Sequence, residues 1–325
     1  MKEVFMDMKK LNLELYKKMY LVRRAEGTIQ KYYPEDYMKT PMHMSMGEEA
    51  IAVGVCHAMK QEDQFFGTYR SHAIYLAKTM DTDDFFAEMY GKDTAFLKGK
   101  GGSMHMCAPA KGFMGASGIV ASAIPVAVGA SFANKMAKNG KYVAVFFGDG
   151  ATNEGVFWES LNVACLMKLP IVFVCEDNGF AVHTPKAERE GYASLPDIVS
   201  KFHCHVISED TTDVEVIYNS TRDGIKLMQD TGMPLLLNFR YYRYLEHVGI
   251  CEDYDDGYRS REEYLEWLER DPVRIQREKL INGGVDEGDL RKIEDEIGEG
   301  ITNSVKKAQD ASFCDSSELF KGVLA

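Results

Sequence analysis

The chain has 325 residues, 45% of them apolar, and carries 38 Lys plus Arg against 50 Asp plus Glu, a formal net charge of −12. That acidic balance excludes a nucleic-acid backbone or an anionic membrane as the main partner, while the apolar content is enough for a sizeable core. Seven cysteines without a C-x-x-C pair suggest neither a disulfide framework nor a zinc site, and no leader-like or membrane-spanning apolar run is evident, so the chain reads as cytoplasmic.

In chain order, Leu15, Met19, Val22 and Ile29 recur near helical spacing and predict a helix from Asn12 to Lys31. Pro34 and Pro41 make 32–45 a loop, followed by a helix over 47–60 (EEAIAVGVCHAM) and a short strand over 63–69 ending in the polar turn TYRSH. The stretch Gly99 to Val120 holds too much glycine for core packing and implies turns in close approach to another group. Residues 121–138 read as a helix of Ala, Gly and Ser suited to a tight interface. YVAVFF (142–147) and IVFVC (171–175) are continuous apolar runs, as in a parallel sheet covered on both faces, with an amphipathic helix over 154–168 between them. A further strand is predicted over 235–241, then an acid-rich segment, and after Asp271-Pro272 a charged helical tail whose polar face is solvated beyond Gly283.

The β-α-β unit carries the chemistry. Gly148-Asp149-Gly150 follows its first strand and Asp177-Asn178 its second, so a right-handed crossover brings both to the same sheet edge, beside the N-terminus of the intervening helix. Free N–H groups there favour an anion such as a diphosphate. A carboxylate beside a diphosphate requires a cation between them, which makes Asp149 and the neutral amide of Asn178 ligands for a hard divalent ion. Neither the G-x-G-x-x-G spacing nor a Gly-Lys-Ser/Thr loop is present.

This arrangement resembles the thiamin diphosphate motif, which begins GDG and ends NN; Asp177 replaces the first Asn here. The likeness extends through HMSMGEEAIAVGV, TYRSHA, GKGGSMHM, GASGIV, KLPIVFVCEDNGFAVHTP, YRYLEH and GYRSREEYLEWLERDPV to the alpha subunit of the heterotetrameric 2-oxo acid dehydrogenase decarboxylating component, a group that includes the pyruvate, branched-chain and acetoin enzymes. The resemblance implies an α/β fold with a mostly parallel central sheet flanked by helices on both faces. It implies one diphosphate-binding domain over 1–325, with an N-terminal helix and loop over 1–45 and a helical extension over 258–325. By the same resemblance Asp149, Asn178 and the Phe180 carbonyl would hold Mg2+. Tyr69, Arg70, Arg243 and the backbones of Gly150 and Ala151 would hold the diphosphate, an Arg fork suiting phosphate oxygens. Gly118 and Val120 would lie against the aminopyrimidine, and His43 and His247 near the thiazolium as catalytic residues.

The carboxylate that activates the cofactor is expected on a beta subunit, so the resemblance implies an alpha2-beta2 assembly with helix 121–138 in its interface and a lipoyl acyltransferase as a further partner. His72 and His105 fall beside the expected cofactor loops, His183 is a substrate-pocket candidate, and His57, His203 and His205 read as surface or helix residues. The segment YRYLEHVGICEDYDDG departs from the family pattern: Glu246 stands where Gly is usual, no Ser follows His247, and Glu252, Asp253, Asp255 and Asp256 crowd together. It borders the expected substrate approach, which leaves three readings: a decarboxylating dehydrogenase for pyruvate, a related small 2-oxo acid or acetoin; a non-oxidative carboligase of transketolase type acting on a sugar or aldehyde; and a non-catalytic relative.

Overall fold

The apolar runs at 142–147 and 171–175 form the middle of a six-stranded sheet in a computed structural model that describes residues 2–322. Its strands are β1 (Gln64–Thr68), β2 (Phe113–Ser117), β3 (Val143–Gly148), β4 (Ile171–Asp177), then, after a two-stranded hairpin of β5 (Phe180–Ala181) and β6 (Thr184–Pro185), β7 (His205–Glu209) and β8 (Leu235–Arg240). The order is β2-β1-β3-β4-β8-β7 with every pairing parallel, Val145 opposite Phe173 and Val174 opposite Leu237.

Helices cover both faces, which is why the central strands are apolar at every position. In chain order they are α1 (Lys2–Tyr32), α2 (Glu49–Ala58), α3 (His72–Thr79), α4 (Thr82–Met89), α5 (Ala123–Ala137), α6 (Gly155–Leu166), α7 (Leu195–Val199), α8 (Val214–Thr231), α9 (Arg261–Leu268), α10 (Pro272–Asn282) and α11 (Glu287–Asp310). Ala144, Phe146, Val172 and Val174 point into a core shared with α1, α2, α3 and α8, while Val143, Val145, Phe147, Ile171 and Phe173 point the other way, onto α5, α6 and α7. That alternation is the period of two expected of a strand. Aspartates start four of the helices: Asp81, Asp213, Asp271 and Asp286 each accept a backbone N–H from the first turn of α4, α8, α10 and α11.

The parallel sheet flanked on both faces is as expected, and so is the β3-α6-β4 unit. Several elements differ. Helix α1 begins at Lys2, where the apolar spacing placed its start at Asn12. Strand β2 lies inside the glycine-rich stretch read as turns, and α3, α4, α7, β7 and α8 occupy segments without an expected element. Beyond Gly283, α11 is not solvated all round: Leu290, Ile301, Val305 and Ala308 are buried, and its Ser304 hydroxyl donates to Asp83 of α4 at 2.6 Å. Among the described residues no helix is long and apolar enough to cross a membrane.

Candidate active site

A cavity of about 290 Å³ opens at the carboxyl ends of β1, β3, β4 and β8. Gly148, Gly150, Ala151, Asn153 and Glu154 line it from the β3–α6 connection, Asn178, Phe180, Ala181 and Val182 from the β5–β6 hairpin, and Tyr69, Arg70, Val120 and His247 from other loops. The Asp149 and Asn178 loops converge as the crossover requires. They pack so closely that a Cβ on Gly150 would sit 3.0 Å from that of Ala181.

Asp149 is 1% exposed, and its Oδ1 is buried without a hydrogen-bond partner. Its Oδ2 accepts from Arg189 Nη2, whose other terminal nitrogen donates to Asn153 Oδ1 at 2.8 Å. Burial, reinforced by Asp177 and opposed by Arg189 and Lys186, pushes the Asp149 carboxyl up to about 6. Asp177 is itself occupied: Lys186 Nζ donates to its Oδ2 at 2.7 Å and the Gly179 N–H to its Oδ1 at 3.0 Å. Asn178 Oδ1 accepts from the Phe180 N–H at 2.9 Å and keeps a second lone pair, while Phe180 and Pro185 form a non-hydrogen-bonded pair of the hairpin, bracketed by the Lys186 N–H to Gly179 carbonyl bond, so the Phe180 carbonyl is turned away from β6. An orphaned buried carboxylate oxygen, an amide oxygen and a carbonyl make a hard-oxygen donor set that fits Mg2+ completed by phosphate oxygens and water. Among the described residues no group of three or more His, Cys, Asp or Glu could hold a metal ion.

On the opposite wall Arg70, 5% exposed, donates from Nη1 to the Met44 carbonyl at 2.7 Å and from Nη2 to the His247 carbonyl at 3.0 Å. It thereby clamps together the two segments that carry His43 and His247. The rings of those histidines stand 5.6 Å apart, with the Tyr69 ring 4.6 Å from His43 and 5.6 Å from His247. Burial, followed by the Arg70 guanidinium, pushes both imidazoles down to about 3, so they are neutral donors and acceptors at physiological pH.

Of the candidate residues, Tyr69, Arg70, Val120, Gly150, Ala151, Asn178, Phe180 and His247 line the cavity. His43, Gly118, Asp149 and Arg243 are not among its lining residues: His43 packs against the Tyr69 and His247 rings, Asp149 lies between the lining residues Gly148 and Gly150, and Gly118 lies against His105. Arg243 is turned toward the acid-rich segment: its Nη2 donates to the Tyr258 hydroxyl at 2.5 Å and lies 3.4 Å from Asp253 Oδ2, while its Nε has no partner. That segment is not one acidic surface. Asp253 is buried between Arg243 and Arg259, whereas Glu252, Asp255 and Asp256 are exposed. His72 is fully buried and structural, its ring nitrogens 2.5 Å from Glu26 Oε1 and 2.7 Å from Ser103 Oγ. His183 is exposed against Tyr258 and does not line the cavity.

Glu48, Glu176, Tyr241 and Arg189 lie in or beside the site without having been anticipated. Glu48 and Glu176 are buried at its floor around Arg70; burial pushes Glu48 up to about 8, and burial with the Glu48 charge holds Glu176 well above the carboxylate range. An acid directly before a helix (Glu48) and another on the last turn-facing position of a strand (Glu176) were signals available in MGEEA and CEDN.

The geometry gathers oxygen donors, an arginine and two neutral histidines at the carboxyl end of a parallel sheet, and comparison with known proteins gives the chain a lineage. Residues 17–316 match the family described as "Dehydrogenase E1 component". The chain is 33% identical over 312 residues to the alpha subunit of acetoin:2,6-dichlorophenolindophenol oxidoreductase from Bacillus subtilis, covering 96% of this chain and 92% of that one. It is 32% identical over 314 residues to the pyruvate dehydrogenase E1 component subunit alpha of Zymomonas mobilis, with 96% and 88% covered, and 31% identical over 315 residues to that of Rhizobium meliloti, with 96% and 90% covered. The chain belongs to the dehydrogenase E1 component family, among its alpha-type members, as the motifs implied.

Proposed function

We propose that this chain is the alpha subunit of a thiamin diphosphate-dependent decarboxylating dehydrogenase acting on pyruvate, a related small 2-oxo acid or acetoin, active with a beta subunit. The observation that carries the reading is the orphaned, buried Asp149 Oδ1, in the connection to α6 whose Gly148 and Gly150 line the same cavity as Asn178. When bound, thiamin diphosphate supplies the nucleophilic carbon and the electron sink for the bond that breaks. The chain's own task is positioning. Asp149, Asn178 and the Phe180 carbonyl would hold Mg2+, the Gly150 and Ala151 backbones and Arg70 would face the diphosphate, and Val120 and Gly118 would border the ring system. His43 and His247, kept neutral, would orient the substrate carbonyl and carboxylate by hydrogen bonds, with Tyr69 packed against both rings.

An interface is supported by exposed apolar side chains on one side of the site: Ile119 (73% exposed), Val126, Phe132 and Met136 on and before α5, and Leu166 (78%) at the end of α6. A beta subunit covering this face in an alpha2-beta2 assembly would complete the cavity, and a lipoyl acyltransferase would accept the acyl group. The test is dye reduction by the chain co-purified with its beta subunit, with thiamin diphosphate, Mg2+ and 2,6-dichlorophenolindophenol, across pyruvate, branched 2-oxo acids and acetoin. One of these should reduce the dye, and His247→Ala should lower that turnover by about 10²-fold or more with cofactor binding retained. Cofactor binding without dye reduction for any substrate would refute the dehydrogenase reading.

A further inference from the structure

Asn178 is the one ligand in the proposed metal set whose side chain can present either a donor or an acceptor to the cavity, and something must choose. Its Oδ1 meets the Phe180 N–H at 2.9 Å and its Nδ2 donates to the Tyr241 hydroxyl at 3.0 Å. A flipped amide would set NH2 against the Phe180 N–H, so the observed orientation is the one that satisfies both neighbours. Tyr241 immediately follows β8, is 3% exposed, and is anchored by its own N–H to the Asp177 carbonyl at 3.1 Å. With the Asn178 amide donating to it, the hydroxyl has one proton left to place, and a buried hydroxyl proton requires an acceptor.

The group able to supply one is Glu48. Its carboxyl is fully buried, lines the same cavity as Tyr241, and has neither oxygen engaged in a hydrogen bond, so both are free to accept. Charged or neutral, the carboxyl keeps an oxygen able to accept. Glu48, Tyr241 and Asn178 all line the same cavity although they come from the start of α2, the end of β8 and the end of β4, separated in sequence by 193 residues at one step and 63 at the other. We propose that Glu48 and Tyr241 are positioning residues for the ion site: Glu48 accepts from Tyr241, Tyr241 accepts from the Asn178 amide, and the chain holds the Asn178 carbonyl oxygen toward Mg2+. The proposal rests on the reading of Asn178 as a ligand. Neither residue is placed to touch the reacting atoms; they act through Asn178, as outer-layer partners act through the ligands of other metal sites.

The test is Mg2+-dependent binding of thiamin diphosphate to the assembled enzyme, followed by quenching of tryptophan fluorescence. Trp158 reports on the site, since its Nε1 donates to the Thr152 carbonyl at 2.9 Å in the loop that follows Asp149. Tyr241→Phe removes only the hydroxyl and keeps the packed ring. It should raise the Mg2+ concentration at half-saturation by about 10- to 100-fold, the range for loss of an outer-layer partner, while turnover at saturating Mg2+ stays within a few-fold of the parent. Glu48→Leu should reproduce that shift, and Glu48→Gln, which still offers an oxygen to the Tyr241 hydroxyl, should restore most of the Mg2+ affinity. A merely structural role would lower the melting temperature of Tyr241→Phe without moving half-saturation, and that result overturns the proposal. Asn178→Ala separates the two levels: if it weakens Mg2+ dependence while Tyr241→Phe does not, the relay alone is wrong, and if it leaves Mg2+ dependence unchanged, the ligand assignment and the relay fall together.

Discussion

Replacing Asp253 with Asn removes one charge from the protein without changing side-chain volume, and the structure sets the size of the consequence. Asp253 Oδ2 lies 3.4 Å from Arg243 Nη2 and shares the Tyr258 hydroxyl with it, while Oδ1 accepts from Arg259 Nη2. The side chains of Arg243, Asp253 and Arg259 are 4%, 3% and 1% exposed, so one buried carboxylate serves two buried guanidinium groups. Removing the acid leaves both cations uncompensated, which costs about 3–5 kcal/mol for a broken buried pair. The same order follows from Coulomb's law, about 4 kcal/mol for unit charges roughly 4 Å apart at an effective dielectric of about 20. For 325 residues the unfolding entropy is about 0.7 kcal/mol/K, so the melting temperature of Asp253→Asn should fall by about 4–7 °C. Thermal unfolding followed by circular dichroism, with urea midpoints as a second probe, measures it. Adding Arg259→Met should recover part of the loss, because the excess charge leaves with the arginine. A loss under about 1 kcal/mol in Asp253→Asn would refute the claim that this ion triad holds the segment between Arg243 and Arg259.

Arg70→Lys keeps the charge but can serve only one of the two carbonyls that the guanidinium bridges, so it should cost about 1.5–3 kcal/mol in urea unfolding and raise the cofactor concentration at half-saturation. Unaltered values for both would show that the clamp is not used. Gly47→Ala places a Cβ 2.0 Å from the Tyr242 carbonyl oxygen at a backbone φ of +103°; beyond a conformational cost of about 1–3 kcal/mol it must displace the stretch leading to Arg243, so stability and cofactor affinity should fall together. His43 and His247 are held neutral down to about 3, whereas in the unfolded chain they protonate below about 6.5. The unfolded chain therefore binds more protons between those limits, and stability should decline as pH falls through that window, by at most about 1.4 kcal/mol per pH unit for buried His43 and less for partly exposed His247. The His43→Gln/His247→Gln pair should show a shallower decline; an equally steep one would place the acid sensitivity elsewhere.

The parts of the fold that could be read from sequence are those whose environment is uniform along the chain. β3 and β4 are covered on both faces, so their apolar runs are unbroken, and the convergence of Asp149 with Asn178 follows from the handedness of the crossover alone. β2 and β7 are the two edges of the sheet, half covered, and FMGAS and HVISE carry no continuous apolar signal. In the site the unread residues are those defined by distant partners. Arg189 meets Asp149 across 40 residues of sequence, and Tyr241 meets Asn178 across 63. Asp253 could be seen in the sequence, but only as one acid in a crowd; that it alone turns inward depends on Arg243 and Arg259 arriving from either side.

The contact between Arg189 and Asp149 bears on how such a protein lives in a cell. Small zinc domains are unfolded until their ion arrives, because their ligands have no other way to be satisfied. Here the carboxylate already has an internal cation on one oxygen, with Lys186 doing the same for its neighbour Asp177. Folding would therefore not have to wait for an ion. An ion taking the free Oδ1 of Asp149, as proposed, would join a tethered guanidinium already on Oδ2, so its affinity would be set against the repulsion between the two positive partners.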